Sequence, residues 1–216
     1  MLGIVVGLTA EARVAAGLGG TVAVGGGTTA GAEAAARGLV AAGVTALLSF
    51  GLAGGLDPSL AAGAIVVPAH VIHSSGVRYA ACPRLNAVLR GGAGTLLATE
   101  AVIATAAGKR LLWESTMAVA ADMESGAVAA VATAAGLPFA VLRAVCDGAE
   151  DDLPPAALTA LDAAGRIRPI MLVRSLMAMP GQMGGLIRLG RHAGLARSAL
   201  LSRVKNIGSI DPAQFS

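Results

Sequence analysis

The chain has 216 residues, enough for one domain with a full core. Hydrophobic residues make up 55% of it, mostly Ala, Val and Leu, against one Trp, one Tyr and three Phe. The net charge is +3, the two cysteines form neither a disulfide framework nor a metal cluster, and no apolar run reaches the roughly 18–20 residues that span a bilayer.

The charge is unevenly spread. Residues 165–216 carry eight of the sixteen Lys and Arg and a single acid, Asp211, so the preceding residues are net negative. Positive charge confined to a tail, with few aromatic rings for base stacking, argues against nucleic-acid binding. The start, Met1-Leu2-Gly3-Ile4-Val5-Val6-Gly7, has no basic n-region and reads as a strand, not a signal peptide. Together with the cysteine usage this predicts a cytoplasmic protein. Cys82 and Cys146 read as small buried apolar residues. His70 and His73 read as surface or loop residues, and the three histidines are too scattered to suggest a metal site.

In chain order, strand-like runs fall at residues 3–6, 21–24, 46–50, 64–67, 94–98 and 139–142. Ala-rich helical runs fall at about 30–42, 124–135 and 155–165. Strands alternating with helices predict an α/β fold, a three-layer α/β/α sandwich with a twisted, mostly parallel central sheet. The strands are filled with Val, Ile and Leu without alternation, as expected when both faces are covered. Two Gly-rich turns, Gly25-Gly26-Gly27-Thr28-Thr29 and Gly51-Leu52-Ala53-Gly54-Gly55, follow strands. Each either serves packing alone or presents backbone N–H groups to an anion or a sugar oxygen. Neither is a dinucleotide fingerprint or a Walker loop.

Beyond residue 165, Arg166-Ile167-Arg168-Pro169 and Met179-Pro180-Gly181 interrupt any long helix. Residues 184–205 interleave Leu186, Ile187, Leu189, Leu195, Leu200, Leu201 and Val204 with Arg188, Arg191, His192, Arg197, Arg203 and Lys205. This pattern fits a basic amphipathic helix, weakened by roughly 1 kcal/mol at each of Gly190 and Gly194. Such a helix either lies on an anionic membrane surface or packs against the domain or a subunit partner. The organisation predicted is a catalytic domain over 1–165 and a basic helical extension over 166–216.

The chemistry concentrates in residues 121–152. Asp122 and Glu124 open an Ala-rich helix, and the apolar strand that follows delivers Arg143 and Asp147 to its carboxyl end, where open α/β sheets bind ligands. One carboxylate can hold sugar hydroxyls while another, if protonated, donates to a leaving group. Asp147 read alone also fits a helix N-cap or a turn carboxylate.

Four stretches in order carry a family resemblance: Gly3-Ile4-Val5-Val6-Gly7-Leu8-Thr9-Ala10-Glu11-Ala12-Arg13; Ser49-Phe50-Gly51-Leu52-Ala53-Gly54-Gly55-Leu56 with Gly63-Ala64-Ile65-Val66-Val67; Asp122-Met123-Glu124; and Arg143-Ala144-Val145-Cys146-Asp147. Over about residues 1–165 the chain resembles the nucleoside phosphorylase and methylthioadenosine/S-adenosylhomocysteine nucleosidase superfamily. The resemblance implies that Asp147 is the acid protonating a departing purine at N7. It implies that Glu124 binds the ribose 2′- and 3′-hydroxyls and that Met123 packs under the sugar. Glu11, or in the neighbouring register Ala12, matches the residue orienting the nucleophilic water. Asp122, Leu52, Ala53, Gly54, Val102 and Cys146 complete the implied substrate-binding set. Val102 stands where the family often stacks an aromatic ring, and Cys146 where nucleosidases usually have Ser.

The segment between Arg13 and Thr21 is shorter than in typical nucleosidases, which would open the site to a bulky 5′-substituent. The positions that hold phosphate in several phosphorylases are here Ser49 and Leu52. Phosphate as a co-substrate would therefore need another site, such as Arg13 with Gly26 and Thr28, or Arg78 and Arg84. No cofactor or metal is implied. The short chain, the start and the basic extension are similar to the hopanoid-associated phosphorylases. That subgroup implies removal of adenine from adenosylhopane, by hydrolysis or phosphorolysis, in hopanoid biosynthesis, with peripheral contact at the inner membrane face. The superfamily implies a homo-oligomer based on dimers or trimers. Two other readings stay open: an ordinary methylthioadenosine/S-adenosylhomocysteine nucleosidase, and a non-catalytic nucleoside-binding protein on the same fold.

Overall fold

The computed structural model describes residues 1–155, residue 157 and residues 183–211. The chain opens with β1 (Leu2–Val6), α1 (Thr9–Ala15) and a short 3-10 turn that leads directly into β2 (Thr21–Val24). Next come α2 (Thr29–Ala41), β3 (Ala46–Gly55), β4 (Ile65–Val66), the β5 (His70–His73) and β6 (Arg78–Ala80) hairpin, and α3 (Pro83–Val88). The second half holds β7 (Thr95–Ala98), α4 (Ala106–Thr116), β8 (Ala120–Asp122), α5 (Ser125–Ala134), β9 (Phe139–Asp147) and, after the undescribed segment, α6 (Met183–Ile207).

The nine strands among the described residues join one sheet, with the path β2-β1-β3-β8-β7-β5-β6 and with β9 paired to β3 and β4. The pairings β1–β2, β1–β3, β3–β9, β5–β7 and β7–β8 are parallel, while β3–β8, β4–β9 and β5–β6 are antiparallel. Side chains alternate across a strand, and here each face of the sheet meets its own helices. Val5, Leu47, Val141 and Val145 pack with Ala32, Ala36 and Leu39 of α2 and with Val128, Val131 and Ala132 of α5. Ile4, Val6, Leu48, Phe50 and Leu142 pack with Val14 and Ala15 of α1, Leu85 near the middle of α3, and Ala196, Leu200 and Val204 of α6. The expected three-layer sandwich with a mostly parallel sheet is therefore the observed fold.

Thr28 and Thr105 start α2 and α4 by accepting the amide hydrogens of Gly31 and Gly108, each at 3.1 Å. The second Gly-rich stretch is not a turn, as the sequence suggested. β3 runs on through Gly51–Gly55 because β9 continues beside it to Asp147, with a register shift at Ala53/Gly54. The missing side chain at Gly51 is needed there: a Cβ would lie 2.7 Å from both Arg143 Nη1 and Glu11 Oε1. The strands β5, β6 and β8 and the helices α1, α3 and α4 are additional to the sequence expectation. His70 and His73 thus sit in a strand and are half-buried, not in a loop.

Within the basic tail, Met183–Ile207 form one continuous helix through Gly190 and Gly194. It buries Ala196, Leu200 and Val204 against the sheet and the α1 region, and Arg203 Nη1 donates to the Leu89 and Arg90 carbonyls at 2.8 and 3.0 Å. No described helix is long and apolar enough to cross a membrane. The helix expected over 155–165 and the breaks at 166–169 and 179–181 lie outside the described residues, apart from residues 155 and 157.

Candidate active site

The carboxyl ends of β1, β3, β8 and β9 meet around a cavity of about 320 Å³. Its wall includes Glu11, Leu52, Ala53, Gly54, Val102, Asp122, Met123, Glu124, Cys146 and Asp147, so ten of the residues singled out from the sequence converge there. Gly26, Thr28, Arg13, Arg78 and Arg84 are not on that wall, although Gly27 is. Arg13, Arg78 and Arg84 are exposed, and the Thr28 hydroxyl is engaged as the cap of α2.

One polar cluster is built on Arg143, which β9 carries into the interior with only 1% of its surface exposed. Its Nη2 lies 2.7 Å from Asp122 Oδ2 and 3.0 Å from Glu124 Oε2, and it donates to Ser49 Oγ at 2.6 Å. Nη1 donates to the Leu52 carbonyl at 3.2 Å, while Nε–H finds no acceptor among the described residues. Ser125, the first residue of α5, donates its amide to Asp122 Oδ1 at 3.1 Å and its hydroxyl to Oδ2. A buried guanidinium is thereby matched by carboxylates and hydroxyls, as a buried charge requires.

Glu11 faces the same cluster from α1. Its Oε2 accepts the Leu8 amide hydrogen at 2.8 Å and its Oε1 accepts that of Leu52 at 3.0 Å. Gly7 lies where any side chain would strike this group, since a Cβ would come within 2.6 Å of Glu124 Oε1 and 3.5 Å of Glu11 Oε2. Burial raises Glu11 above the usual carboxylate range, against the opposing pull of Arg143. Burial also pushes Glu124 up to about 7; Arg143 opposes this, and Asp122 and Glu11 add to it. For Arg143, burial works to lower the guanidinium, but Asp122, Glu124 and Glu11 outweigh it and hold it above its ordinary value.

The second cluster surrounds Asp147, the last residue of β9, which is 5% exposed. Lys109 of α4 reaches Asp147 Oδ2 at 2.5 Å and also donates to the carbonyls of Gly148 at 2.8 Å and Asp151 at 2.9 Å. The Cys146 thiol donates to Asp147 Oδ1 at 3.0 Å. Burial first, and the Asp147 charge second, raise that thiol well above its ordinary value. Cys146 is thus a hydrogen-bond donor, not merely the small apolar residue expected from the sequence. Sequence reading gave no role to Lys109: a lysine in Ala106-Ala107-Gly108-Lys109-Arg110 carries no local sign of burial.

The rest of the wall is apolar. Leu8, Leu56, Val102, Ile103, Leu153 and Leu189 line it, the last contributed by α6. The cavity therefore combines a floor of carboxylates, Arg143 and Lys109 with an aliphatic surround.

Residues 4–177 match the profile of the phosphorylase superfamily. The chain belongs to this superfamily. Its fold is similar to that of a 5′-methylthioadenosine/S-adenosylhomocysteine nucleosidase from Helicobacter pylori solved with butyl-thio-DADMe-Immucillin-A, with a TM-score of 0.66 at 17% identity over 95% of this chain and 97% of that one. The futalosine hydrolase of Helicobacter pylori gives the same TM-score, identity and coverages. An S-adenosylhomocysteine nucleosidase from Streptococcus pyogenes in complex with 5-methylthiotubericidin gives 0.66 at 17%, over 95% and 96%. No curated protein matches the chain. At these identities the likeness is one of fold, and the superfamily assignment rests on the profile.

Proposed function

We propose that this phosphorylase-superfamily protein cleaves the N-glycosidic bond of an adenine nucleoside, with adenosylhopane as the preferred substrate and ribosylhopane and adenine as products. The observation that carries the reading is the convergence of Glu11, Glu124 and Asp147 on one cavity with Met123 and Val102 beside them. Bond cleavage builds positive charge on the ribose and negative charge on the base. Asp147 is the group assigned to protonate the base, a contribution typically worth about 10²–10⁴-fold. Glu124 accepts hydrogen bonds from the ribose 2′- and 3′-hydroxyls. Glu11, held by two backbone amides, orients the attacking water.

Water is favoured over phosphate as the nucleophile by the charge on the wall. Glu11, Asp122, Glu124 and Asp147 face it against two cations, Arg143 and Lys109, both already bound to carboxylates. A Cβ on Gly27 would sit 3.9 Å from Glu124 Oε1, so this turn also faces a carboxylate. The aliphatic surround, the direct passage from α1 to β2 and the contribution of Leu189 support a large apolar 5′-substituent. Peripheral binding to an anionic bilayer belongs to the same proposal. The exposed side of α6 carries Ile187, Leu195 and Leu201 among Arg188, Arg191, Arg197 and Lys205, with no acid between 183 and 207.

The deciding experiment is adenine release from adenosylhopane and from methylthioadenosine, each with and without phosphate. Phosphate-independent release from adenosylhopane is the expected result. Release from methylthioadenosine alone would make the protein an ordinary nucleosidase. Binding of both without product would make it a nucleoside-binding protein, and strict phosphate dependence would overturn the hydrolytic assignment.

A further inference from the structure

We infer that Lys109 is the positioning residue of the candidate acid, and that the proton-delivering unit of this site is the Lys109–Asp147 pair. The inference rests on the nucleosidase reading above and deepens it. A lysine ammonium has three N–H donors, and here Asp147 Oδ2, the Gly148 carbonyl and the Asp151 carbonyl take one each. Lys109 is 1% exposed yet lies on the cavity wall beside Asp147.

The surrounding hydrogen bonds fix this geometry from both sides. Asp152 Oδ1 accepts the Ala106 amide hydrogen at 2.7 Å, and the Leu153 amide donates to the Ala104 carbonyl at 2.8 Å, so the start of α4 is bound to the segment after β9. Asp151 Oδ2 accepts the Gly148 amide hydrogen at 2.9 Å, closing the turn that presents two of the three acceptors. The arrangement leaves Asp147 one orientation, with Lys109 on Oδ2 and Cys146 on Oδ1.

The proton balance follows. Asp147 starts as the carboxylate that accepts from Lys109 and Cys146. As the N-glycosidic bond breaks and its electron pair passes to the base, one Nζ–H bond of Lys109 breaks and an Oδ2–H bond forms; that Oδ2–H bond breaks in turn as an N–H bond forms on the base, leaving Asp147 ionised again. Lys109 ends the step as a neutral amine, and solvent returns its proton once the base has left. Lys109 touches no substrate atom and acts only through Asp147.

The test is steady-state adenine release by K109M, K109R and K109A. K109M is expected to lose on the order of 100-fold in kcat with KM changed only a few-fold, within the range of general acid catalysis. K109R keeps the charge on a guanidinium that does not give up its proton, so it is expected to remain impaired. In K109A, added ethylammonium is expected to restore turnover, whereas tetramethylammonium, which has the charge but no N–H, is not. Undiminished kcat in K109M or K109R, or equal rescue by both ions, would overturn proton delivery. A thermal-stability cycle of K109M, D147N and the double variant tests the pairing without turnover. Non-additive Tm losses are expected, and additive losses would overturn it. Wild-type protein that released adenine from neither nucleoside would instead remove the nucleosidase reading and with it the proton step, and the stability cycle would judge the pairing alone.

Discussion

Glu11 Oε1 accepts the amide hydrogen of Leu52 at 3.0 Å, joining the first helix to the centre of a strand 41 residues further along the chain. The contact fixes a carboxylate over Gly51, where a Cβ would lie 2.7 Å from Glu11 Oε1. Both oxygens of Glu11 accept from backbone amides. Glu11→Gln should therefore set a side-chain N–H against one of those amides. The expected outcome is a stability loss of about 1–3 kcal/mol, the cost of an unsatisfied buried donor, together with a large fall in kcat. Urea unfolding and adenine release measure the two effects, and unchanged turnover would remove Glu11 from the mechanism.

Asp147→Asn should lower turnover by about 10²-fold or more, the contribution assigned to the general acid. It also takes the charge partner from a buried lysine, a change that typically costs about 3–5 kcal/mol. Activity must therefore be read well below the lowered Tm, with circular dichroism confirming the fold. Normal turnover in the folded variant would refute the assignment.

The Glu124 carboxyl predicts two pH effects of opposite sense. In the folded protein it titrates at about 7, against an ordinary value of 4.5, so between those pH values the folded state keeps a proton that the unfolded chain has released. Stability is then expected to fall as pH rises through this window. Binding of ribose hydroxyls favours the ionised form, so kcat/KM is expected to rise through pH about 7. Glu124→Gln should flatten the stability slope and depress kcat/KM at every pH. Melting curves and a pH–rate series provide the comparison, and an unaltered slope in the variant would show that another group titrates.

Removal of the whole basic tail is a poor test of membrane binding, because Ala196, Leu200 and Val204 belong to the core. Reversing charge at Arg191, Arg197 and Lys205, all exposed, spares that packing. Co-sedimentation with phosphatidylglycerol vesicles should drop several-fold for the triple Glu variant, while thermal stability and adenine release from detergent-solubilised adenosylhopane stay near wild type. Retained sedimentation would separate α6 from any lipid contact.

The strands β1, β2, β7 and the first half of β9 were legible because each is a short apolar run between turn-forming residues. β3 and β9 are longer than their apolar runs, since pairing between them carries the ladder across Gly51, Arg143 and Asp147, which do not look strand-like locally. The strand β8, three residues long, merges in sequence with the Asp122-Met123-Glu124 signal beside it. The carboxylates of the candidate site could be located because they sit at strand ends in a recognisable order. Lys109 could not be, because its burial arises from the turn at Gly148–Asp151, some forty residues later in the chain. The compact amphipathic pattern of the tail was visible, but the domain surface that takes its apolar side was not.

That α6 supplies Leu189 to the cavity and its buried side to the sheet has a consequence for biosynthesis. Domains fold as units during vectorial synthesis, yet residues 1–155 emerging alone would have strands and carboxylates in place with one wall of the cavity open and Ile4, Phe50 and Leu142 partly uncovered. The nascent chain would keep that apolar surface uncovered until residue 204 had cleared the ribosome, and the cavity would gain its Leu189 wall only after every described strand had been made.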